Sequence, residues 1–410
     1  MGTLDSLFVT ALQDNFSFKK LGAKLISGKL RERGIILTDK QLHELESRLE
    51  NQQIESLTLD LDDDQLEAAN LEPDNLLNIE FGSADVDKVG EAIERVVEKA
   101  IPSVTSEIAV FLVKEWKAQA PSLLKEQQAE RTSFADHIYK VWDKAINLLE
   151  ILLGVTYEAG SEFNRQFRLS AAQDDFAFEV LTRLHARGCQ VGLEILTLLK
   201  NGFADGAHAR WRTLHEITVT AYFISKYGND VAERYLHHTV IDTYKAALKH
   251  QEHCKALNFE PISEAEMNRH MAARDNLVTL FGRAYKSDYG WAANALGRDN
   301  PKFTDIEQDV GLEHLRPFYK MANYNVHAGS KGITFRLGLT STNENLLLAG
   351  PSQFGLTNPG QNTAVSINQL TTTLLTTRPS LDRLAFVTAT QKLVGEIFEA
   401  FLDVDARHET

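Results

Sequence analysis

Asp205, His208, Arg210, Arg212, His215 and Glu216 crowd into twelve residues that run directly into the uncharged stretch ITVTAYFIS. Arginine supplies a permanent cation for a phosphate or carboxylate, histidine exchanges a proton near neutral pH, and glutamate can hold either in place. Together they are the parts of a site that grips an anion and moves a proton. A second group lies in RPFYKMANYNVHAG, where Tyr319, Asn323 and His327 recur at intervals of four and line one helical stripe. His327 closes that stripe at a helix C-terminus, where the dipole suits a cationic ring. The catalytic set expected from these spacings is His327 as general acid or base, with Arg210 or Arg212 stabilising charge on a phosphodiester. Glu194, Glu216, Asn323, Tyr319 and His215 are expected to support it, with no metal and no cofactor. The same residues allow two other readings: an arginine pair that holds an anionic ligand without turnover, and a polar layer that only aligns buried helices.

These side chains must be positioned by helices. On a helix from Gly206 to Lys226, Ala207, Arg210, Leu214, Ile217, Ala221 and Ile224 form one seam, and His208, Trp211, His215, Thr218 and Tyr222 form the next. No face is wholly polar, so neighbours should bury this helix all round. The preceding helix is expected over Ser170–Lys200, with Ser170 and Gln173 as a capping box and Asn201-Gly202 as its stop. Its seam is Leu181, Leu184, Gly188, Val191, Ile195 and Leu198. The short connection, with Asp205 expected as the next cap, makes the two an antiparallel hairpin. Glu194 lies six residues before the end of one helix and Arg212 six after the start of the other, each roughly 9 Å from the turn at 1.5 Å per residue. Glu194 should therefore meet Arg210 or Arg212.

Around this hairpin the chain reads as all-α: an antiparallel helical bundle with a small helical N-terminal module. The expected organisation is a module with an acidic linker over 1–100, connecting helices over 101–165, and a bundle core over 166–410. Helices are expected at 18–33 and 39–51, with Thr38 as a cap, and from Asp85 to about Leu153 with interruptions at Pro102 and Pro121. A further helix should begin at Pro317 and end at Gly329. SLTLDLDDDQLE alternates like a short strand and runs into Asp60, Asp62, Asp63 and Asp64, but Gln65 stands where a calcium loop needs glycine, so it reads as a solvated acidic linker. Residues 345–377 carry no charged side chain and are rich in Asn, Gln, Ser, Thr, Gly and Pro. They read as a long loop, with GITFRLG and NLLLAG as a small hairpin within it.

Composition narrows the function classes. The 410 residues are 43% hydrophobic with a net charge of -14, and 14 acidic residues against Lys88 and Arg95 place most of that charge in 55–98. Such a patch repels nucleic acid locally but leaves the rest of the chain free to bind an anion. Cys189 and Cys254 have no metal-ligand spacing, and a cytoplasmic setting is expected. No apolar run is long enough to span a bilayer. MGTLDS fits an acylation pattern without the basic cluster that would make a second membrane signal, so no membrane partner is expected. His250, His253 and Cys254 lack further ligands, and no phosphate-cradling loop, dinucleotide fingerprint or nucleophile elbow occurs. Expected partners are RNA or a small anionic ligand, and a second copy or another protein through the N-terminal module.

RLHARGCQVGLEILTLLKNGFADGAHARWRTLHEI, followed by YNVHAG, resembles the bacterial domain-of-unknown-function family 5677 over roughly residues 165–335. That resemblance implies a helical fold and no reaction. A looser similarity is to the HEPN superfamily of helical bundles, many of which are RNases that use an Arg followed four to six residues later by His. Arg210 to His215 and Arg131 to His137 fit that spacing, and ANYNVH resembles half of the longer motif with Ala322 at the Arg position. The similarity implies a metal-independent nuclease in which Arg210 or Arg212 substitutes for the missing arginine.

Overall fold

The computed structural model describes residues 17–49, 57–72, 77–339 and 347–409. The MGTLDS terminus and the start of NLLLAG lie outside the described residues. Among those described there are fifteen α-helices and no strand, so the chain is an all-α helical bundle. It divides into two compact units, Met1–Gln127 and Gln128–Thr410.

In the first unit, α1 (Phe18–Glu32) and α2 (Asp39–Arg48) pack on each other. Thr38 caps α2 through a reciprocal pair with Gln41, as its position before the helix suggests. The acidic run forms no strand. Asp62 caps the short helix α3 (Asp63–Ala68), and Gln65 closes the reciprocal pair. The Gln65 amide also donates to Ile36 O at 2.5 Å and Gln41 Oε1 at 3.0 Å. Gln65 is thus a buried helix-terminal residue rather than a failed calcium-loop position.

Helix α4 (Ser83–Phe167) runs through Pro102 and Pro121 without a break. Each proline removes one backbone bond, but both are exposed, where water can take up the freed carbonyl. From Ile138 onward α4 contributes Ile138, Trp142, Leu149, Leu152 and Phe163 to the core of the second unit.

The centre of that unit is the hairpin of α5 (Phe176–Lys200) and α6 (Ala204–Tyr227). Helix α5 starts later than the Ser170 capping box suggests, because Asp175 accepts from Phe178 N at 3.0 Å. Its end is as expected: Gly202 takes φ 74°, where a side chain would be strained, and Phe203 N bonds Leu198 O at 2.9 Å. Asp205 does not cap α6. Its carboxylate accepts instead from Leu337 N at 3.0 Å and ties down a segment 132 residues away.

Short helices α7 (Asn229–His237), α8 (Thr239–His253), α9 (Glu264–Phe281), α10 (Ala293–Leu296) and α11 (Phe303–Asp309) lead to α12 (Arg316–Val326) and α13 (Ser330–Thr334). Two longer helices follow, α14 (Thr357–Thr376) and α15 (Leu381–Glu409). Helix α14 overturns the long-loop expectation over 357–376, while 347–356 stay outside any helix, and α13 takes up the first three residues of GITFRLG. Its lack of charge has a different cause: α14 packs on α5, α6 and α15, and most of its residues are buried. The hydroxyls of Thr363, Thr371, Thr373 and Thr376 donate to the carbonyls four residues earlier, at 2.6 to 2.9 Å. Polar but chargeless residues can therefore line a core helix without water.

Glycine permits the closest approaches here. A Cβ on Gly360 would overlap the buried Phe401 ring, whereas one on exposed Gly395 of α15 would meet nothing within 4 Å. Gly360→Ala is expected to cost about 1–3 kcal/mol, and Gly395→Ala to add roughly 0.5–1 kcal/mol through helix propensity. Urea denaturation of the two variants should show these opposite signs.

Candidate functional site

Helix α6 packs against α5, α7, α11, α12 and α14, so few of its polar groups can reach water. Three ion pairs follow from that enclosure. On the α5 side, Arg210 Nε pairs with Glu194, and its Nη1 donates to Thr213 Oγ1 at 3.3 Å. This is the contact anticipated from counting outward from the turn, with Arg210 rather than Arg212 as the partner.

On the α12 side, Arg212 Nε donates to Glu216 Oε1 at 3.0 Å. The Tyr319 hydroxyl donates to the same oxygen at 2.6 Å. Burial first, then the hydrogen bond to this carboxylate, pushes the Tyr319 phenol well above its ordinary range, so it stays a donor. The guanidinium carbons of Arg212 and Arg316 lie 4.9 and 5.0 Å from the centre of the Tyr319 ring. Cation–π attraction and the ion pairs thus share one aromatic ring.

The third pair is the deepest. His215 Nε2 donates to Glu307 Oε1 at 2.8 Å, and both side chains are 0% exposed. Arg316, at the start of α12, pairs with the other Glu307 oxygen and lies 5.6 Å above the Phe303 ring. Phe303 stacks on Tyr319 at 5.4 Å, closing the cluster. Burying a carboxylate is tolerable because the His215 hydrogen bond and the Arg316 charge reach its two oxygens.

Arg210, Arg212 and Glu216 stand at the rim, each roughly a quarter to a third exposed, so the buried charge is Glu307 instead. Glu307 and Arg316 were not legible as members of the set. The signals available were weak: Glu307 shares a helical face with Phe303 in FTDIEQD, and Arg316 precedes Pro317.

The structure does not bring His327 into this layer. Helix α12 ends at Val326, and His327 turns into extended backbone with φ -110°. Its ring is exposed and makes no hydrogen bond among the described residues. The four-residue stripe therefore holds for Tyr319 and Asn323 but stops one step short. Asn323 is half-buried, and its Oδ1 has no partner among the described residues.

A second polar line joins α6 to α14. Trp211 Nε1 donates to Asn362 O and Ser366 Oγ, both at 3.0 Å, and Thr218 reaches Ser366 O at 3.2 Å. His208 stacks on Trp211 at 5.4 Å, and His185 of α5 meets Thr371 Oγ1 at 3.0 Å. Desolvation pushes the imidazoles of His208 and His185 down to about 4, so both are neutral at pH 7. Among the described residues no group of three His, Cys, Asp or Glu side chains could hold a metal ion.

Every residue of the ion-paired layer falls within 178–345, and that stretch matches the model of a family of unknown function, DUF5677. The match covers residues 178–345 and leaves the rest of the chain outside it. Neither a curated protein nor a solved structure matches the chain. Helix α14 lies outside the DUF5677 match, so the partner of Trp211 and Thr218 comes from beyond it.

The neutral histidines set a pH dependence. Their folded pKa lies below the ordinary 6.5, so the unfolded chain binds more protons and stability falls as pH drops from 6.5 towards 4. Each contributes on the order of 3 kcal/mol that is present above pH 6.5 and lost across that window. Denaturant midpoints at neutral pH and near pH 4.5 should show the loss, and His208→Phe should shrink it.

Proposed function

We propose that this chain is a non-catalytic interaction protein, and that the ion-paired layer of its DUF5677 region serves to fix the register of α6 against α5, α11 and α12. The observation that carries this reading is charge matching: Arg210, Arg212 and Arg316 each have their own carboxylate, Glu194, Glu216 and Glu307. Three guanidiniums and three carboxylates cancel, which leaves little free positive charge to draw in a phosphate. The histidine inside the layer, His215, is fully enclosed and committed to Glu307.

A metal-independent nuclease would use an exposed His327 with an arginine on the phosphate. His327 lies past the end of α12, exposed, and makes no hydrogen bond to the ion-paired layer among the described residues, so no proton donor is held in place beside Arg212. Purified full-length protein should therefore leave RNA intact without added metal, and millimolar inorganic phosphate should not shift its melting temperature. Glu307→Gln should cost about 3–5 kcal/mol by leaving Arg316 and His215 without their shared charge, whereas His327→Ala should change stability by less than about 0.5 kcal/mol. RNA cleavage that disappears in His327→Ala would restore the nuclease reading. A phosphate-induced rise in melting temperature, lost in Arg212→Ala, would instead make the layer an anion site.

A further inference from the structure

Residues 314–343 contain no Asp or Glu, although the chain has 57 of them in 410 residues. The stretch carries Arg316, Lys320, Lys331 and Arg336. Arg316 pairs with Glu307, whereas the other three pair with no carboxylate among the described residues. The acids that touch the stretch, Glu307, Glu216 and Asp205, are engaged at Arg316, Tyr319 and Leu337 N. Contacts gather the three unpaired cations on one side of α12. Lys320 stands one turn before Tyr324 on the same helical stripe. Tyr324 meets the Phe335 ring edge-on at 6.1 Å, Lys331 Nζ lies 5.7 Å from that ring, and Arg336 Nη1 donates to Asn325 Oδ1 at 3.4 Å. The bond from Leu337 N to Asp205 and that from Ser352 Oγ to Gly338 O, at 2.6 Å, hold the backbone that follows, so the charges are presented on a fixed frame.

We propose that this side of α12 and α13 docks an extended acidic segment of a partner protein whose carboxylates fall on alternate residues. The inference rests on reading the chain as an interaction protein, and it names the chemistry of one partner. Spacing selects an extended peptide. Lys320 and Asn325, the residue that anchors Arg336, are five residues apart, or about 7.5 Å along the helix. Side chains on one face of an extended strand recur roughly every 6.6 to 7 Å, so successive carboxylates of such a segment match the cations. A compact anion would meet one cation at a time, because Arg336 is held on Asn325 and Lys331 over Phe335. Charge balance limits the length of the segment. Residues 128–410 hold 33 Asp and Glu against 29 Lys and Arg, so a polyanion longer than this face would run into carboxylates. Tyr324 and Phe335 are half-buried and turned edge-on to one another, which leaves no open ring on which a nucleotide base could stack. A short acidic peptide needs neither a long basic track nor a stacking ring.

The three cations are outside the ion-paired layer, whose test is stability, so a failure here is told apart from a failure of that reading. Fluorescence anisotropy with the full chain should show saturable binding of a labelled peptide of alternating Glu and Ser, and none of its Gln-Ser counterpart. Lys320→Glu with Lys331→Glu should weaken that binding about tenfold or more at an unchanged melting temperature, because both side chains are exposed. Reversing the same charge at exposed sites elsewhere, Lys140→Glu with Lys392→Glu, should leave it within about twofold, since salt screens charges that distant. Lys320→Arg with Lys331→Arg should retain binding. No binding of the Glu-Ser peptide, equal binding of the Gln-Ser peptide, or equal loss in the two double reversals overturns the proposal. So does tighter binding of oligouridylate, or sedimentation with vesicles of anionic phospholipid, that is lost with the same two lysines.

Discussion

A helix enclosed on every side has no solvent to receive its polar groups, and that constraint on α6 organises most of the second unit. An unpaired buried charge costs several kcal/mol, whereas an unpaired hydroxyl or imidazole costs less. The neighbours of α6 must therefore present complementary groups at fixed heights along it. Glu194 on α5, Glu307 on α11, and Arg316 and Tyr319 on α12 do so.

Three solutions to the same problem are visible around this helix. Charged groups sit at the rim in pairs, where partial hydration lowers the cost of each. Histidines that go fully inside are kept neutral by desolvation, as at His185 and His208, or are tied to a carboxylate, as at His215. Hydroxyls on α14 bond to their own helix, which lets an uncharged but polar sequence act as core. The three differ in how much charge they carry inward, and the depth of each group follows that order except at Glu307. There, a histidine hydrogen bond and an arginine charge from separate elements make burial tolerable.

The hairpin was legible because its determinants are local. The glycine stop, the short connection and the constant rise per residue place residues equally far from the turn at the same height, so the Glu194 contact could be anticipated to within two positions. The failures have a common origin in which surface faces which. The uncharged 345–377 stretch looked like a loop because polarity was read as exposure, although threonine and asparagine can satisfy themselves inside a helix. The His327 stripe was extrapolated one position past the point where the backbone leaves the helix. Asp205 and Ser170 have the chemistry of caps, but Asp205 is taken by Leu337 N and Asp175 caps in place of Ser170.

The amino-acid order alone determined the helical class, the α5–α6 hairpin and the height of the Arg210 pair, since periodicity, capping and helical rise act over a few residues. Only the tertiary structure decided that Glu307, 92 residues from His215, is the buried carboxylate, that α14 is core, and that His327 stays outside. Burial arises when distant segments meet, and a local pattern that is polar, uncharged or periodic is compatible with either side of that boundary.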